Sequence, residues 1–255
     1  MNKTKLLTSV FAVSLVIGYS NAALAMAQAP KESSSSESAP APKPPAATSP
    51  KPPAATPVPK PPSSSPAKPP STGKDREVTP LWEEAHEDGK EWTTHVDRQL
   101  EKLGTDLLDV IPSDYATFCP KYKTLSYKER KEFWTYFISL MVRYESNFKT
   151  GTSFEEDFND STGSNVMSRG LLQISFESGN AYGCNFKSSR DIHDPYQNLS
   201  CGIRILDRWV DRDGRMAGKV SSKWRGGARY WSVLRTTSRS YPKIMAATKK
   251  IILCR

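Results

Sequence analysis

Hydrophobic residues recur at intervals of three and four along positions 125–145, a pattern that predicts an amphipathic helix. The large apolar residues of this stretch are Phe133, Trp134, Phe137, Ile138, Met141, Val142 and Tyr144. Ser126, followed three residues later by Glu129, is typical of a capping box and predicts where the helix begins. Glu145 is therefore predicted to lie at the C-terminal end of this helix.

The predicted position of Glu145 is unfavourable for a negative charge. The negative pole of the helix dipole lies at that end, and aromatic neighbours would remove hydration. Both effects raise the pKa of a carboxyl group, as a general acid near neutral pH requires. The alternative is an ordinary solvated glutamate at a helix end.

Other stretches also follow a helical pattern. Positions 79–111 predict one or two helices, interrupted near Gly89. A short helix is expected over 176–182, and another from Asp194-Pro195 through Val210. Positions 149–167 are rich in Gly, Ser, Thr and Asn, which predicts a loop. Because strand signals are weak, we expect a mostly α fold.

The N-terminal third has no globular pattern. Residues 1–25 resemble a secretory signal peptide, with Lys3 and Lys5 before a short apolar run. That run is short for a membrane span, and no later segment is long and apolar enough to cross a bilayer, so we expect no membrane insertion. The mature protein is predicted to be exported, to the periplasm or the extracellular space.

Residues 26–73 form a low-complexity segment of Pro, Ser, Ala and Lys that we expect to be disordered. It is predicted to be a spacer, with a cationic tether to an anionic polymer as the alternative. Residues 74–124 are expected to form an N-terminal helical extension, and residues 125–255 the main domain.

The four cysteines are all in the C-terminal part of the chain, and an even number in an exported protein favours two disulfides. Three pairings are compatible with the sequence. We favour the short local loop Cys184–Cys201, with Cys119–Cys254 tying the last segment back. The spacing does not suit a metal site, and His86, His95 and His193 are scattered, so no metal is predicted.

Charge is distributed unevenly along the chain. Residues 74–160 carry a formal net charge of −7, and residues 161–255 carry +11. The basic half would suit an anionic polymer, although a solvated surface explains most of those charges. No motif for nucleic-acid recognition is present, so nucleic acid is not an expected partner.

Three motifs follow one another in the main domain. The first is Glu145-Ser146. The second is Ser168-x-Gly170-Leu171-x-Gln173-Ile174, and the third runs from Asp194-Pro195 through Asn198 to Leu206. Over positions 125–234 the chain resembles the catalytic core of goose-type lysozymes and soluble lytic transglycosylases. A fourth family motif is only partly kept, because Trp231 follows Tyr230 where the family has Asn.

This resemblance implies a lysozyme-like catalytic domain that cleaves the β-1,4 bond between N-acetylmuramic acid and N-acetylglucosamine in peptidoglycan. Glu145 would be the general acid, and Ser146 would orient it or contact substrate. Ser168 and Gln173 would bind sugar, Gly170 would admit the glycan close to the backbone, and Tyr230 would reach the cleft. A helix cap for Ser146, a turn for Gly170 and a core position for Tyr230 are the alternatives.

The functional hypotheses differ in the step that follows protonation. A lysozyme needs a group to activate water, whereas a lytic transglycosylase uses the sugar's own hydroxyl and forms a 1,6-anhydro product. The acidic loop 155–160, with Glu155, Glu156, Asp157 and Asp160, could supply that group, which favours hydrolysis. A flexible, solvated loop is the alternative. The same carboxylates would attract the ammonium of N-deacetylated glycan.

A non-catalytic module that binds wall glycan is the remaining alternative. In each case the expected partner is the glycan strand, without a cofactor, and the protein is expected to be a monomer.

Overall fold

A computed structural model describes residues 76–255. The expectations for a signal peptide at 1–25 and a disordered segment at 26–73 concern residues outside this range. The described residues fall within one compact unit. They form mostly helices, as predicted, with two small sheets.

Nine α-helices and five strands make up the described residues. The helices are α1 Trp82–Ala85, α2 Gly89–Leu103, α3 Thr105–Asp109, α4 Tyr115–Phe118, α5 Tyr127–Glu145, α6 Phe176–Ala181, α7 Ser189–His193, α8 Pro195–Asp213 and α9 Tyr241–Lys250. The strands are β1 Ser153–Asn159, β2 Asn165–Arg169, β3 Ile174–Ser175, β4 Lys219–Val220 and β5 Lys223–Trp224. Short 3-10 turns occupy Tyr122–Thr124, Gly226–Arg229, Ser232–Leu234 and Ile252–Cys254.

Helix α5 is buried along most of its second half, and the capping box predicted at its start is present. The Ser126 side chain accepts a hydrogen bond from the Glu129 amide, and the Glu129 carboxylate accepts one from the Ser126 amide. Trp134 and Phe137 on this helix are fully buried, with ring centroids 5.2 Å apart. The Trp134 indole donates to the Leu107 carbonyl at 2.6 Å. These contacts hold α5 at its N-terminus and along its length, and Glu145 lies at its C-terminal end.

The N-terminal extension packs against the rest of the described chain. Helices α2 and α3 contact both α5 and α8. The buried Glu132 of α5 accepts hydrogen bonds from the amides of Glu77 and Val78. Asp207 of α8 likewise accepts hydrogen bonds from the first amides of α3. The extension and the main domain thus share one core.

Both predicted disulfides are formed. Cys184 pairs with Cys201, and Cys119 pairs with Cys254. The first joins the end of α6 to α8, and the second ties the C-terminus to the segment that precedes α5. Within the described range no helix has the length and apolarity to cross a membrane. Those residues also contain no cluster of His, Cys, Asp and Glu suited to a metal ion.

The loop predicted over 149–167 is wrong in its main part. Strands β1 and β2 form an antiparallel hairpin there, and β3 extends it to a three-stranded sheet in the order β1-β2-β3. The hairpin is thin and exposed, with Phe154 60% and Phe158 43% accessible. The polar composition of this stretch did not predict strands, because a hairpin with little burial needs no alternation of apolar and polar residues.

Candidate active site

Glu145 is the last residue of α5, as predicted from the pattern. The two residues after Ser146 have positive φ angles, 51° at Asn147 and 65° at Phe148, so the chain turns sharply away from the helix axis. Positive φ is uncommon for a bulky residue such as phenylalanine. This reversal stops the helix and leads the chain toward β1.

The carboxyl group of Glu145 is desolvated although the residue as a whole is half-buried. Its Oε1 atom is inaccessible to solvent, and no group of the described residues donates a hydrogen bond to it. Burial, helped by the negative charge of Glu156, raises the pKa of Glu145 to about 8. The positive charge of Arg235 acts in the opposite direction. Glu145 can therefore hold a proton near neutral pH.

Glu156 is the second carboxylate of the site, and an irregularity in the hairpin positions it. The register pairs Glu155 with Met167 and then Asn159 with Asn165, so β1 has extra residues at this point. Such a bulge redirects side chains and increases the local twist. The Ser168 hydroxyl donates to Glu156 Oε1 at 2.6 Å. Ser168 is buried and lies on the central strand, so the bond anchors Glu156.

The other two acids of the run differ from Glu156. Glu155 and Asp157 are both exposed, and the Glu155 carboxylate accepts a hydrogen bond from the Asn165 side chain. Neither contributes to the raised pKa of Glu145. Of the three acids expected beside the cleft, Glu156 is the one whose charge raises the pKa of Glu145.

The glycine–leucine–glutamine segment, residues 170–173, makes close contacts with neighbouring parts of the chain. Gly170 has a φ of 73°, and a Cβ atom there would lie 2.3 Å from the Ile192 carbonyl oxygen. The Gln173 amide donates to the carbonyls of Thr152 and Gly170 at 3.2 and 2.8 Å. These contacts give Gly170 the role of a turn residue and use the Gln173 amide group to hold that turn.

Two residues from the other motifs hold this segment in place. The buried Asn198 accepts a hydrogen bond from the Leu172 amide and donates to the carbonyls of Arg169 and Ile192. The Trp231 indole donates to the Leu172 carbonyl at 2.8 Å. Trp231 thus supplies a structural hydrogen bond.

Ser146 and Tyr230 also have structural partners. The Ser146 hydroxyl donates to the Val142 carbonyl at 3.3 Å, which satisfies a free carbonyl at the end of α5. The Tyr230 hydroxyl accepts a hydrogen bond from Ser178 at 2.9 Å, and burial raises the pKa of Tyr230 to about 12. These contacts correspond to the helix cap considered for Ser146 and the core position considered for Tyr230.

Arg235 is a site residue that the sequence did not reveal. It follows the turn Ser232–Leu234, where its guanidinium donates to the Ala228 carbonyl at 3.2 Å and lies 5.6 Å from the Trp224 ring. It is the cation that lowers the pKa of Glu145. No motif or periodicity distinguishes it from the other arginines of the C-terminal half.

The fold and the site define a disulfide-bonded, mostly helical protein in which a buried carboxyl group at a helix end interacts with a carboxylate on a hairpin. No family model matches the chain, and no curated protein matches it. Solved structures of Bd0314 DslA are similar to it. The wild-type protein, form 2, is 64% identical over 71% of this chain and 100% of its own, with a TM-score of 0.70.

Two further structures are glutamate-to-glutamine variants of Bd0314 DslA. Each is 63% identical to this chain, with the same coverage and TM-scores of 0.70 and 0.69. This chain belongs to the family of Bd0314 DslA.

Proposed function

We propose that this chain is an exported muramidase that hydrolyses the β-1,4 bond between N-acetylmuramic acid and N-acetylglucosamine in peptidoglycan. The observation that carries the proposal is Glu145, a desolvated carboxyl group with a pKa raised to about 8 that interacts with a second carboxylate. A protonated carboxylic acid beside a carboxylate is the arrangement that glycoside hydrolysis requires. The two disulfides and the signal-like N-terminus support export.

In the proposed reaction Glu145 protonates the glycosidic oxygen as the bond to the sugar's anomeric carbon breaks. Glu156 would accept a proton from the water that attacks that carbon. A lytic transglycosylase needs no second carboxylate, so the anchored position of Glu156 favours hydrolysis. The exposed ring of Phe154, two residues before Glu156 on β1, offers an apolar surface for sugar.

The relative's variants support the choice of these two residues. The glutamates replaced by glutamine in the two Bd0314 DslA variants are eleven positions apart in that protein's numbering. Glu145 and Glu156 are eleven positions apart in this chain, and no other two glutamates of the sequence have that separation.

Glu156 also suggests a substrate preference. An N-deacetylated amino sugar carries an ammonium group, whereas the acetylated sugar is uncharged at nitrogen. A carboxylate on the hairpin beside Glu145 would attract this ammonium group. The acetylated sugar, which is uncharged at nitrogen, would gain no such attraction. We therefore propose that the enzyme favours N-deacetylated glycan.

The first experiment tests the reaction. Purified protein and the Glu145→Gln variant are incubated with isolated sacculi, and released fragments are analysed by mass spectrometry. We expect release to fall by about 10²–10⁴-fold in the variant, because a general acid contributes that much. Fragments with reducing ends indicate hydrolysis, and 1,6-anhydro ends would reassign the protein as a lytic transglycosylase. Equal release by both proteins would refute Glu145 as the acid, and no release by either would favour a glycan-binding module.

The second experiment tests the preference. Glu156→Gln is compared with Glu155→Gln, which neutralises the adjacent exposed carboxylate and is the matched control. Cleavage rates are measured on acetylated and on N-deacetylated sacculi. We expect the wild-type protein and the control to cut the deacetylated glycan faster, and Glu156→Gln to lose that preference. An equal fall on both substrates would instead assign Glu156 to water activation alone.

A further inference from the structure

A row of arginines on α8 has no role in the proposed reaction. Arg204, Arg208 and Arg212 follow one another at intervals of four, so they lie on one side of the helix, about 6 Å apart along its axis. All three are exposed, and none takes part in an ion pair with a described residue. Asp211, three residues after Arg208, is exposed on the same helix and forms no ion pair with it.

The centre of this surface is the indole ring of Trp209. The guanidinium groups of Arg229, Arg212 and Arg208 lie 4.7, 5.2 and 6.0 Å from its centroid. The Trp209 indole donates to the Tyr182 hydroxyl at 2.8 Å, which fixes the ring. We call Arg208, Trp209, Arg212 and Tyr182 the arginine–tryptophan surface.

The Asp213 carboxylate at the end of α8 does not pair with the arginines of this surface. Asp213 accepts hydrogen bonds from Arg229 at 2.6 and 2.9 Å and pairs with Arg225 at 3.3 Å. That carboxylate therefore serves two arginines outside the exposed row. Arg208 and Arg212 remain as two guanidinium groups around one ring, and the planar donor fork of each guanidinium suits carboxylate or phosphate.

A series of aromatic contacts leads from this surface toward the sheet of the candidate active site. The Tyr182 ring lies 6.2 Å from Trp209 and 5.9 Å from Tyr230. Tyr230 in turn bonds to Ser178 of α6, which directly follows β3. The arginine–tryptophan surface is thus connected through packed side chains to the sheet that contains Ser168.

We propose that the arginine–tryptophan surface binds carboxylates of the peptide stems attached to the glycan strand. This inference rests on the proposed function, because it takes peptidoglycan as the substrate. The peptide stems carry carboxylates at intervals along a backbone that is otherwise uncharged or, where deacetylated, positive. Such a strand suits a molecule with an acidic hairpin and a row of exposed arginines on α8.

The charge distribution favours this ligand over a uniform polyanion. Residues 74–160 carry a formal net charge of −7, which would repel a long nucleic acid or polyphosphate chain. A strand with separated carboxylates needs only a local group of cations. The aromatic ring between Arg208 and Arg212 provides an apolar contact for the aliphatic part of a peptide.

The test measures binding of the full chain in a Glu145→Gln background, so that the ligand stays intact. Its ligands are sacculi, and the same sacculi after an amidase has removed the stems, which leaves one lactyl carboxylate on each muramic acid. Adding Arg208→Gln and Arg212→Gln together should weaken binding to peptide-bearing sacculi about tenfold and leave binding to stripped glycan unchanged. Lys243→Gln with Lys249→Gln, which removes two exposed charges of α9, is the control and should change neither.

Other outcomes would overturn the proposal. Equal binding of the parent protein to peptide-bearing and stripped glycan would do so even if the arginine variant failed to fold. Tighter arginine-dependent binding to polyphosphate or DNA than to sacculi would assign the surface to another ligand. The proposed function is tested separately by cleavage of stripped glycan with Glu145 restored. The arginine variant should cut that glycan at the wild-type rate, and a wild-type protein that cuts no glycan would refute the muramidase proposal alone.

Discussion

The two carboxylates of the candidate active site come from regions of opposite character. Glu145 ends a helix whose inner face is fully buried and surrounded by aromatic rings. Glu156 lies on a hairpin whose residues are mostly exposed and whose strands pair mainly with each other. Burial raises the pKa of the first group, whereas a single serine hydroxyl anchors the second.

Because their burial differs, the helical core and the hairpin have different roles. The helical core contributes rigidity and an environment that holds a proton on Glu145. The hairpin contributes little to stability and can carry a charge at low cost, because water remains close to it. Residues of the core should therefore affect folding, and residues of the hairpin should affect catalysis and substrate choice.

The largest contrast is expected from phenylalanine substitutions in the two regions. Phe137→Ala removes a fully buried ring in contact with Trp134 and should lower the free energy of unfolding by about 3–5 kcal/mol. Phe154→Ala removes a ring that is 60% exposed and should change it by no more than about 0.5 kcal/mol. Urea denaturation measures both. Similar losses would show that the hairpin is part of the core.

The burial of Glu145 should be visible in the dependence of stability on pH. Its folded-state pKa of about 8 lies above the ordinary value of 4.5, so the folded protein binds the proton more tightly. Stability should fall as pH rises between these two values. Glu145→Gln should therefore be more stable than wild type at pH 9, by on the order of a few kcal/mol. This gain in stability should disappear near pH 4. Thermal unfolding at several pH values measures this, and a constant difference would contradict it.

A smaller effect is expected from the hydroxyl that anchors Glu156. Ser168→Ala removes the hydrogen bond to the carboxylate and should lower the rate of glycan cleavage roughly tenfold. Ser161→Ala, at an exposed position of the hairpin end, is the control and should cut at the wild-type rate. If both variants were equally active, Glu156 would not depend on Ser168 for its position.

The smallest expected effect is a shift in the pH profile of cleavage. The negative charge of Glu156 raises the pKa of Glu145, so Glu156→Gln should lower that pKa. The alkaline limb of the residual activity should then move to lower pH, by up to about one unit. Arg235→Gln should move the limb in the opposite direction, because Arg235 lowers the pKa. A limb that stays in place in both variants would show that another group controls it.

Local patterns were sufficient to predict several features. The capping box, the spacing of aromatic residues and the end of α5 at Glu145 all depend on residues a few positions apart. The start of α8 at Asp194-Pro195 follows from the same kind of signal, since Asp194 caps the helix and proline tolerates its first turn. The preferred disulfide pairing was confirmed as well.

Tertiary structure alone decided how the motif residues are used. Gly170 was expected to admit the glycan close to the backbone, and Gln173 to bind sugar. In the fold Gly170 lies against the Ile192 carbonyl, and the Gln173 amide donates to the Thr152 carbonyl, contacts that the sequence did not predict. The bulge that separates Glu156 from its two acidic neighbours depends on strand register. The proximity of Arg235 to Glu145 depends on a turn some ninety residues further along the chain.

The sequence by itself therefore determined the helices and Glu145 at the end of α5, because helix signals act within a few residues. It could not determine which charges surround that carboxyl group, because long-range packing brings them together. The electrostatic environment that raises the pKa of Glu145 is a property of the folded chain.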